Sequence, residues 1–190
     1  MQKIALEEIL RDKKLENKII SEIRHGKIFV YPTDTVYGIG CNALNIKSVV
    51  RIRKAKGTDH PLSVIAPSKE WIKQNFVLKF PEYLEKLPGP VTLILKQRKT
   101  VIPWEVSKSD NVGIRIPDHP FTAVIQKSGV PFITTSANIS GKKTITKIEE
   151  LPKQIEIYMD FAVDGGVLDN PPSRIFDLTG EKPKIIRDRA

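Results

Sequence analysis

Two stretches of this chain put hydroxyl, amide and carboxyl groups where the backbone has to turn. In the first, K-I-F-V-Y-P-T-D-T-V-Y-G-I-G-C-N from Lys27 to Asn42, an apolar run gives way to Thr33, Asp34, Thr35 and Tyr37, followed by Gly38 and Gly40. Ile28 to Tyr31 reads as a short buried strand, and Pro32 removes a ladder donor and ends it. The polar groups are then presented at a strand's carboxyl end, where open α/β sheets bind ligands. Neither glycine carries a Cβ, so backbone can come close to whatever lies there. A Thr- and Gly-rich turn with no ligand has the same composition. In the second stretch, a strand over Pro131 to Thr135 runs into S-A-N-I-S-G, Ser136 to Gly141. Two such turns after strands point to one shared pocket.

Charged side chains suggest what that pocket would hold. Arg115 lies in V-G-I-R-I, amid apolar neighbours. It cannot shed its charge, so burial requires an anion, and both Asp118 and a ligand phosphate are open as its partner. Arg51, Arg53, Lys54 and Lys56 close a helical segment, where cations also suit the negative end of the helix dipole. The usual phosphate cradles are missing. Ser140-Gly141-Lys142-Lys143-Thr144 imitates the end of a P-loop, but its first glycine would fall at Ser136. Gly38-Ile39-Gly40 does not extend to a dinucleotide fingerprint, because Ala43 occupies the third glycine position. Any triphosphate must therefore be held by side-chain cations, with Lys54, Lys56, Arg115 and Arg187 the candidates. His25, His60 and His119 lack the context of a nucleophilic triad or a zinc site.

The elements that must position these groups follow from periodicity and punctuation. Residues 3 to 25 have near-helical apolar spacing, with Gly26 as the stop. Asn45 caps a helix that Gly57 ends, and Leu62 to Ala66 reads as a strand. Ser68 caps a short helix through Trp71, Pro81 to Leu87 forms another, and Pro88-Gly89-Pro90 turns the chain. Val91 to Leu95 and Val112 to Ile116 are strands on β-branched content, separated by a long charged loop. Pro120 opens a helix ended by Gly129. Thr146 with Glu149 makes a capping box, Ile157 to Val163 is a strand, and Ser173 to Leu178 with Lys184 to Ile186 complete the sheet. The alternation predicts one α/β domain over residues 1 to 190, built on a mixed sheet.

The totals agree. The chain has 190 residues, enough for one sizeable core, and 40% of them are hydrophobic, which argues against disorder. Its charge of +9 favours polyanions such as nucleotides or RNA. A single cysteine, Cys41, excludes an internal disulfide and fits a reducing compartment. With no membrane-length apolar run and no signal-peptide core, the expectation is a soluble cytoplasmic protein.

Taken together, P-T-D-T-V-Y-G-I-G, K-A-K-G-T-D-H-P-L-S-V, G-P-V-T-L-I-L, V-G-I-R-I-P-D-H-P, T-T-S-A-N-I-S-G, P-S-R-I-F-D-L and I-I-R-D resemble the blocks of the YrdC/TsaC family, in family order, from about Ile28 to Asp188. The resemblance implies a twisted, mixed, open α/β sheet flanked by helices, with a basic concave face. It implies synthesis of L-threonylcarbamoyladenylate, a nucleotidyl transfer that uses L-threonine, bicarbonate and ATP with Mg2+ and releases pyrophosphate. The product would feed tRNA threonylcarbamoyladenosine formation through a downstream tRNA threonylcarbamoyl transferase complex, and the protein could touch tRNA itself.

Carried over by position, the resemblance puts Lys54 and Lys56 at the catalytic phosphate contact, with Lys56 replacing the family's arginine and losing its bidentate fork. It assigns His60, Asn111, Ser136, Asn138 and Arg187 to ATP, and Thr35, Arg115, Thr134 and Ser173 to threonine, with no side-chain metal ligand. Arg174 and Arg189 depart from the usual threonine and glycine. The residue types suit the chemistry: a carbamate oxygen attacking the α-phosphorus must be relieved of anion repulsion by cations, and no side-chain nucleophile is needed. The alternative is a non-catalytic double-stranded RNA or tRNA-binding module, for which the same basic face would serve.

Overall fold

The computed structural model describes residues 1 to 189. Its elements, in chain order, are β1 Gln2–Ala5, α1 Leu6–Arg11, α2 Lys13–Arg24, β2 Phe29–Tyr31, β3 Gly38–Gly40, α3 Ile46–Lys56, β4 Ser63–Ile65, α4 Lys69–Asn75, β5 Val91–Lys96, α5 Trp104–Ser107, β6 Asn111–Arg115, α6 Pro120–Lys127, β7 Phe132–Ser136, α7 Lys153–Glu156, β8 Phe161–Asp164, β9 Arg174–Asp177 and β10 Lys184–Arg187. Tight 3-10 turns cover Pro81–Lys86 and Ile148–Glu150. The strands form one ten-stranded sheet in the order β1-β8-β2-β3-β7-β4-β6-β5-β9-β10. Parallel pairs (β1 with β8, β2 with β8, β4 with β6, β5 with β9) occur beside antiparallel ones, so the sheet is mixed.

Strand register shows how the two faces differ. Side chains alternate along a strand, and paired residues share a face. Val30, Ile39, Ile133, Val64, Ile114 and Leu93 therefore lie on one face, where Val49 and Ile52 of α3, Ile72 of α4, Val106 of α5 and Ile155 of α7 cover them. On the other face, Phe29, Tyr31, Phe132 and Phe161 pack with Ile19 and Ile23 of α2 and Phe121 and Ile125 of α6. That cover lies over the half of the sheet around β8, β2, β3 and β7. Farther along the same face the residues in register are polar: Ser63 opposite Thr134, then Arg115, Thr92, and Arg187 opposite Ile175. The functional groups occupy the part of a sheet face that the helices leave uncovered.

Local signals account for most boundaries. The Asn45 side chain accepts from Ser48 N at 3.1 Å and that of Ser68 from Trp71 N at 3.0 Å, each satisfying an orphan donor of the helix it starts. Gly26, Gly57 and Gly129, at φ +79°, +59° and +74°, take the left-handed conformation that ends a helix.

Four boundaries differ from expectation. The single helix over 3 to 25 is instead an edge strand and two helices, because Gln2–Ala5 add to β8 and the Asp12 carboxylate caps a new start by accepting from Lys14 N and Leu15 N. The charged loop after β5 holds the short α5. The strand expected over 157 to 163 begins only at Phe161, residues 157 to 160 being the exit of α7. Thr146 is capped by Glu150, not Glu149: its N–H donates to that carboxylate at 2.8 Å and its hydroxyl at 3.1 Å, while Glu149 pairs with Lys3.

The glycines of the first polar turn let strands, and not only a ligand, come close. A Cβ on Gly40 would sit 2.0 Å from the Ile133 carbonyl oxygen and 2.4 Å from the Phe132 ring; one on Gly38 would sit 3.0 Å from the Tyr31 ring. Gly40→Ala should therefore force β3 away from β7 and cost about 3 kcal/mol of stability in urea unfolding. Gly57→Ala, whose Cβ meets nothing within 4 Å, should cost only the left-handed penalty of about 1 kcal/mol.

Candidate active site

A cavity of ≈ 370 Å³ opens on the polar half of that face. Its walls come from four places: the turn after β2 (Thr33, Thr35), the end of β7 and the turn beyond it (Thr134, Ser136, Asn138), the strands β4, β5 and β6 (Ser63, Thr92, Arg115), and β9–β10 with the residues before them (Ser173, Ile175, Arg187). Hydroxyls dominate the lining, and the cations in it are Arg115 and Arg187.

Arg115 ends β6 with its side chain buried at 8% exposure, and its charge is met by Asp34, whose carboxylate accepts from Nη2 at 2.6 Å and is itself buried at 9%. The partner is thus Asp34, from the first polar turn, and not Asp118, whose own backbone N–H donates to the other Asp34 oxygen at 3.0 Å. Burial lowers the Arg115 pKa, and the Asp34 charge opposes that fall. Nη2 also lies 3.4 Å from the Thr35 hydroxyl. Nε is buried with no partner among the described residues, and Nη1 also makes no hydrogen bond to them. Asp34 also joins the turn to the 166 to 173 segment, since Asn170 Nδ2 lies 3.4 Å from its carbonyl oxygen.

At the far side, Arg187 of β10 donates from Nε and Nη2 to the Ser173 carbonyl oxygen at 2.9 and 2.8 Å, and from Nη2 to Ser173 Oγ at 3.0 Å. Ser173 Oγ lies 3.0 Å from Thr92 Oγ1. The Arg187 pKa is lowered, first by partial burial and then by the charge of Arg115, so the two guanidiniums share one field. Two cations, each held by its own partners in the lining of one hydroxyl-rich cavity, suit an elongated anion, or two anions side by side.

Of the residues singled out in the sequence, Thr35, Arg115, Thr134, Ser136, Asn138, Ser173 and Arg187 are brought together here. Lys54, His60 and Asn111 are not among the lining residues, and all are exposed. Lys54 lies on α3 against a separate hollow with Val50, Gly57, Asp59 and Lys108. Asn111 begins β6 while Arg115 ends it, about 13 Å away at the rise of a strand. Lys56 is buried and faces away from solvent, donating to Ser136 O at 2.6 Å and to Asn138 O and Oδ1 at 2.8 and 3.1 Å; burial draws its pKa down to about 8.

Arg53, one of the cations closing α3, is buried and donates to the carbonyls of Glu105 and Val106 in α5 and of Thr58 and His60 in the loop that follows α3. Sequence reasoning missed Asp34 as the ion partner, and Ser63 and Thr92 as lining. Only alternation combined with strand pairing could have found the last two. Among the described residues no cluster of His, Cys, Asp or Glu side chains could hold a metal ion.

Replacing Asp34 leaves a guanidinium buried without its counter-ion. Asp34→Ala should lower unfolding stability by about 3 kcal/mol or more, and Asp34→Asn, which keeps an acceptor oxygen, by less. Urea denaturation at neutral pH measures both, and an unchanged midpoint in Asp34→Ala would contradict the pairing.

The family model Sua5–YciO–YrdC, described as "Telomere recombination", matches residues 21–188. A protein of Methanocaldococcus jannaschii is 40% identical over 184 residues, 93% of this chain and 86% of its own. The protein named threonylcarbamoyl-AMP synthase in Pyrococcus abyssi is 35% identical over 174 residues, and this chain spans 51% of its length. The crystal structure of P. abyssi Sua5 complexed with L-threonine superposes with a TM-score of 0.84 at 31% identity, covering 98% of this chain and 56% of that one.

Proposed function

The chain belongs to the Sua5–YciO–YrdC family, and from that premise we propose that it is an L-threonylcarbamoyl-AMP synthase, a nucleotidyltransferase acting on L-threonine, bicarbonate and ATP. The observation that carries the reading is the buried Arg115 at a hydroxyl-rich cavity, with donors not spent on Asp34 and a second guanidinium, Arg187, in the same lining. Relatives under the synthase name and a threonine-bound Sua5 support it.

In this reading the part of the Arg115 guanidinium not bonded to Asp34, with Nη1 its accessible nitrogen, takes the carboxylate of threonine. Asp34, already bonded to Nη2, keeps the guanidinium oriented and partly neutralised, so that it binds one carboxylate without trapping a larger anion. Thr35, Thr134 and Ser173 offer hydroxyls for the substrate's own hydroxyl and ammonium ends. The neutral amine nitrogen bonds to the carbon delivered by bicarbonate, with loss of water, and gives a carbamate. A carbamate oxygen then bonds to the α-phosphorus of ATP as the bond to the bridging oxygen breaks, and pyrophosphate leaves with that electron pair. The attack brings two anions together, and Arg187 beside Ser173 is the lining cation able to relieve their repulsion. Ser136 and Asn138 would flank the nucleotide. No protein nucleophile is consumed, so proximity and charge account for the catalysis.

Mg2+ would enter with the triphosphate. No carboxylate is among the described residues that line the cavity, and Asp34 beside them is committed to Arg115, so the ion's ligands would be phosphate oxygens and water, and it would supply charge neutralisation there. The intended receiver of the product is a tRNA threonylcarbamoyl transfer system. None of the helices among the described residues is long and apolar enough to cross a membrane.

Purified protein with ATP, Mg2+ and bicarbonate should release pyrophosphate only when L-threonine is added, and not with serine in its place or in a threonine-free blank. Arg115→Met should raise the threonine KM and Arg187→Met the ATP KM, each lowering kcat/KM by about a hundredfold, as expected for a charge-assisted contact. Lys54→Ala, being outside the lining, should cost less than Arg187→Met. Threonine-independent release, or RNA binding of steep salt dependence without any release, would replace this reading with the binding-module one.

A further inference from the structure

Lys56 stands where a phosphate contact was expected, yet its ammonium is spent on the protein. The side chain leaves the end of α3 and is 4% exposed. Its Nζ finds three acceptors, Ser136 O at 2.6 Å, Asn138 O at 2.8 Å and Asn138 Oδ1 at 3.1 Å, as many as an ammonium has hydrogens. It is not among the residues lining the cavity, whereas Ser136 and Asn138 are.

The contacts continue through the turn. Ser136 Oγ donates to the same Asn138 Oδ1 at 2.6 Å, Asn138 Nδ2 donates to the Lys142 carbonyl oxygen, and Ser140 N donates to the Lys56 carbonyl oxygen at 3.1 Å. The backbone of residues 136 to 142 is thereby fastened to the last turn of α3, and Thr144, just beyond, lines the cavity again.

We propose that Lys56 is a positioning residue: it holds the Ser136–Asn138 turn as one wall of the cavity from behind, and makes no contact with phosphate. The assignment of this wall to the nucleotide rests on the function proposed above; the fastening itself does not. An arginine at this position would have the donors to do the same work, so the lysine alters how the wall is held and not whether it is held.

The test compares Lys56→Met, Lys56→Arg and Asn138→Ala in the full chain. Amide hydrogen exchange over residues 136 to 145 should speed up by about tenfold or more in Lys56→Met, a local opening, with other segments unchanged. Asn138→Ala, which removes one of the three Lys56 acceptors together with the side-chain links to Ser136 and Lys142, should reproduce that pattern even if Lys56→Met fails to fold. By calorimetry, adenosine should bind Lys56→Met about tenfold more weakly while inorganic tripolyphosphate binds as it does to the wild type, and the ATP KM should rise more than kcat falls. Lys56→Arg should restore exchange, binding and KM together.

Unaltered exchange with a tenfold loss of tripolyphosphate affinity would make Lys56 a phosphate contact and overturn the proposal. Absence of threonine-dependent pyrophosphate release by the wild-type protein would end the functional reading instead, with the exchange result still deciding the role of Lys56.

Discussion

A charge that cannot be neutralised is buried at the centre of the sheet's open half, and much of the architecture answers to it. Arg115 ends β6 with hardly any contact with water, so its guanidinium has to find acceptors within the protein. One comes from Asp34, which is distant in sequence and brought close by the order β3-β7-β4-β6. That pairing draws the turn after β2 against the end of β6, and the second Asp34 oxygen fixes the start of the segment leading to α6. A buried ion pair seldom adds net stability over apolar packing, because desolvation consumes most of the attraction. What it supplies here is position: the hydroxyls of Thr33 and Thr35 are held at the cavity, and part of the guanidinium stays uncommitted.

The two faces of the sheet divide the labour. One is packed along its length by α3, α4, α5 and α7 and carries mainly aliphatic side chains. The other is packed only over the β8-β2-β3-β7 half, where stacked and edge-on aromatic rings around Phe29, Tyr31 and Phe132 fill the space beneath α2 and α6. Removing the helical cover from the remaining half leaves room for polar side chains that register aligns into a row. Rigidity comes from the packed face, and chemistry can be written on the open one without disturbing the core.

Basic residues at the end of α3 show why charge alone is a poor guide to role. Arg51 reaches the Tyr158 carbonyl oxygen at 2.7 Å, Arg53 gathers the carbonyls of neighbouring loops, Lys54 is exposed, and Lys56 is buried behind the second polar turn. Four cations within six positions thus point four ways, since successive helix residues are rotated by about 100°. Their common occurrence in the sequence reflects the geometry of a helix end at a crowded junction, where carbonyl oxygens need donors.

Local order was legible from the residues themselves. Helix starts at Asn45 and Ser68, left-handed stops at Gly26, Gly57 and Gly129, and the strand runs of V-T-L-I-L and V-G-I-R-I each depend on groups within a few positions of one another. The blocks that resemble the YrdC/TsaC family are contiguous and so could be read as they stood, and the need of a buried Arg115 for an anion followed from its residue type. What lay beyond the sequence was every relation between distant segments. Asp34 as the partner of Arg115, Ser63 and Thr92 as lining, Gln2–Ala5 as an edge strand, and the exclusion of Lys54 from the cavity all depend on which strands pair and in what register. Residue type constrains the partners a side chain needs; only the assembled sheet brings one of the candidates within 3 Å of it.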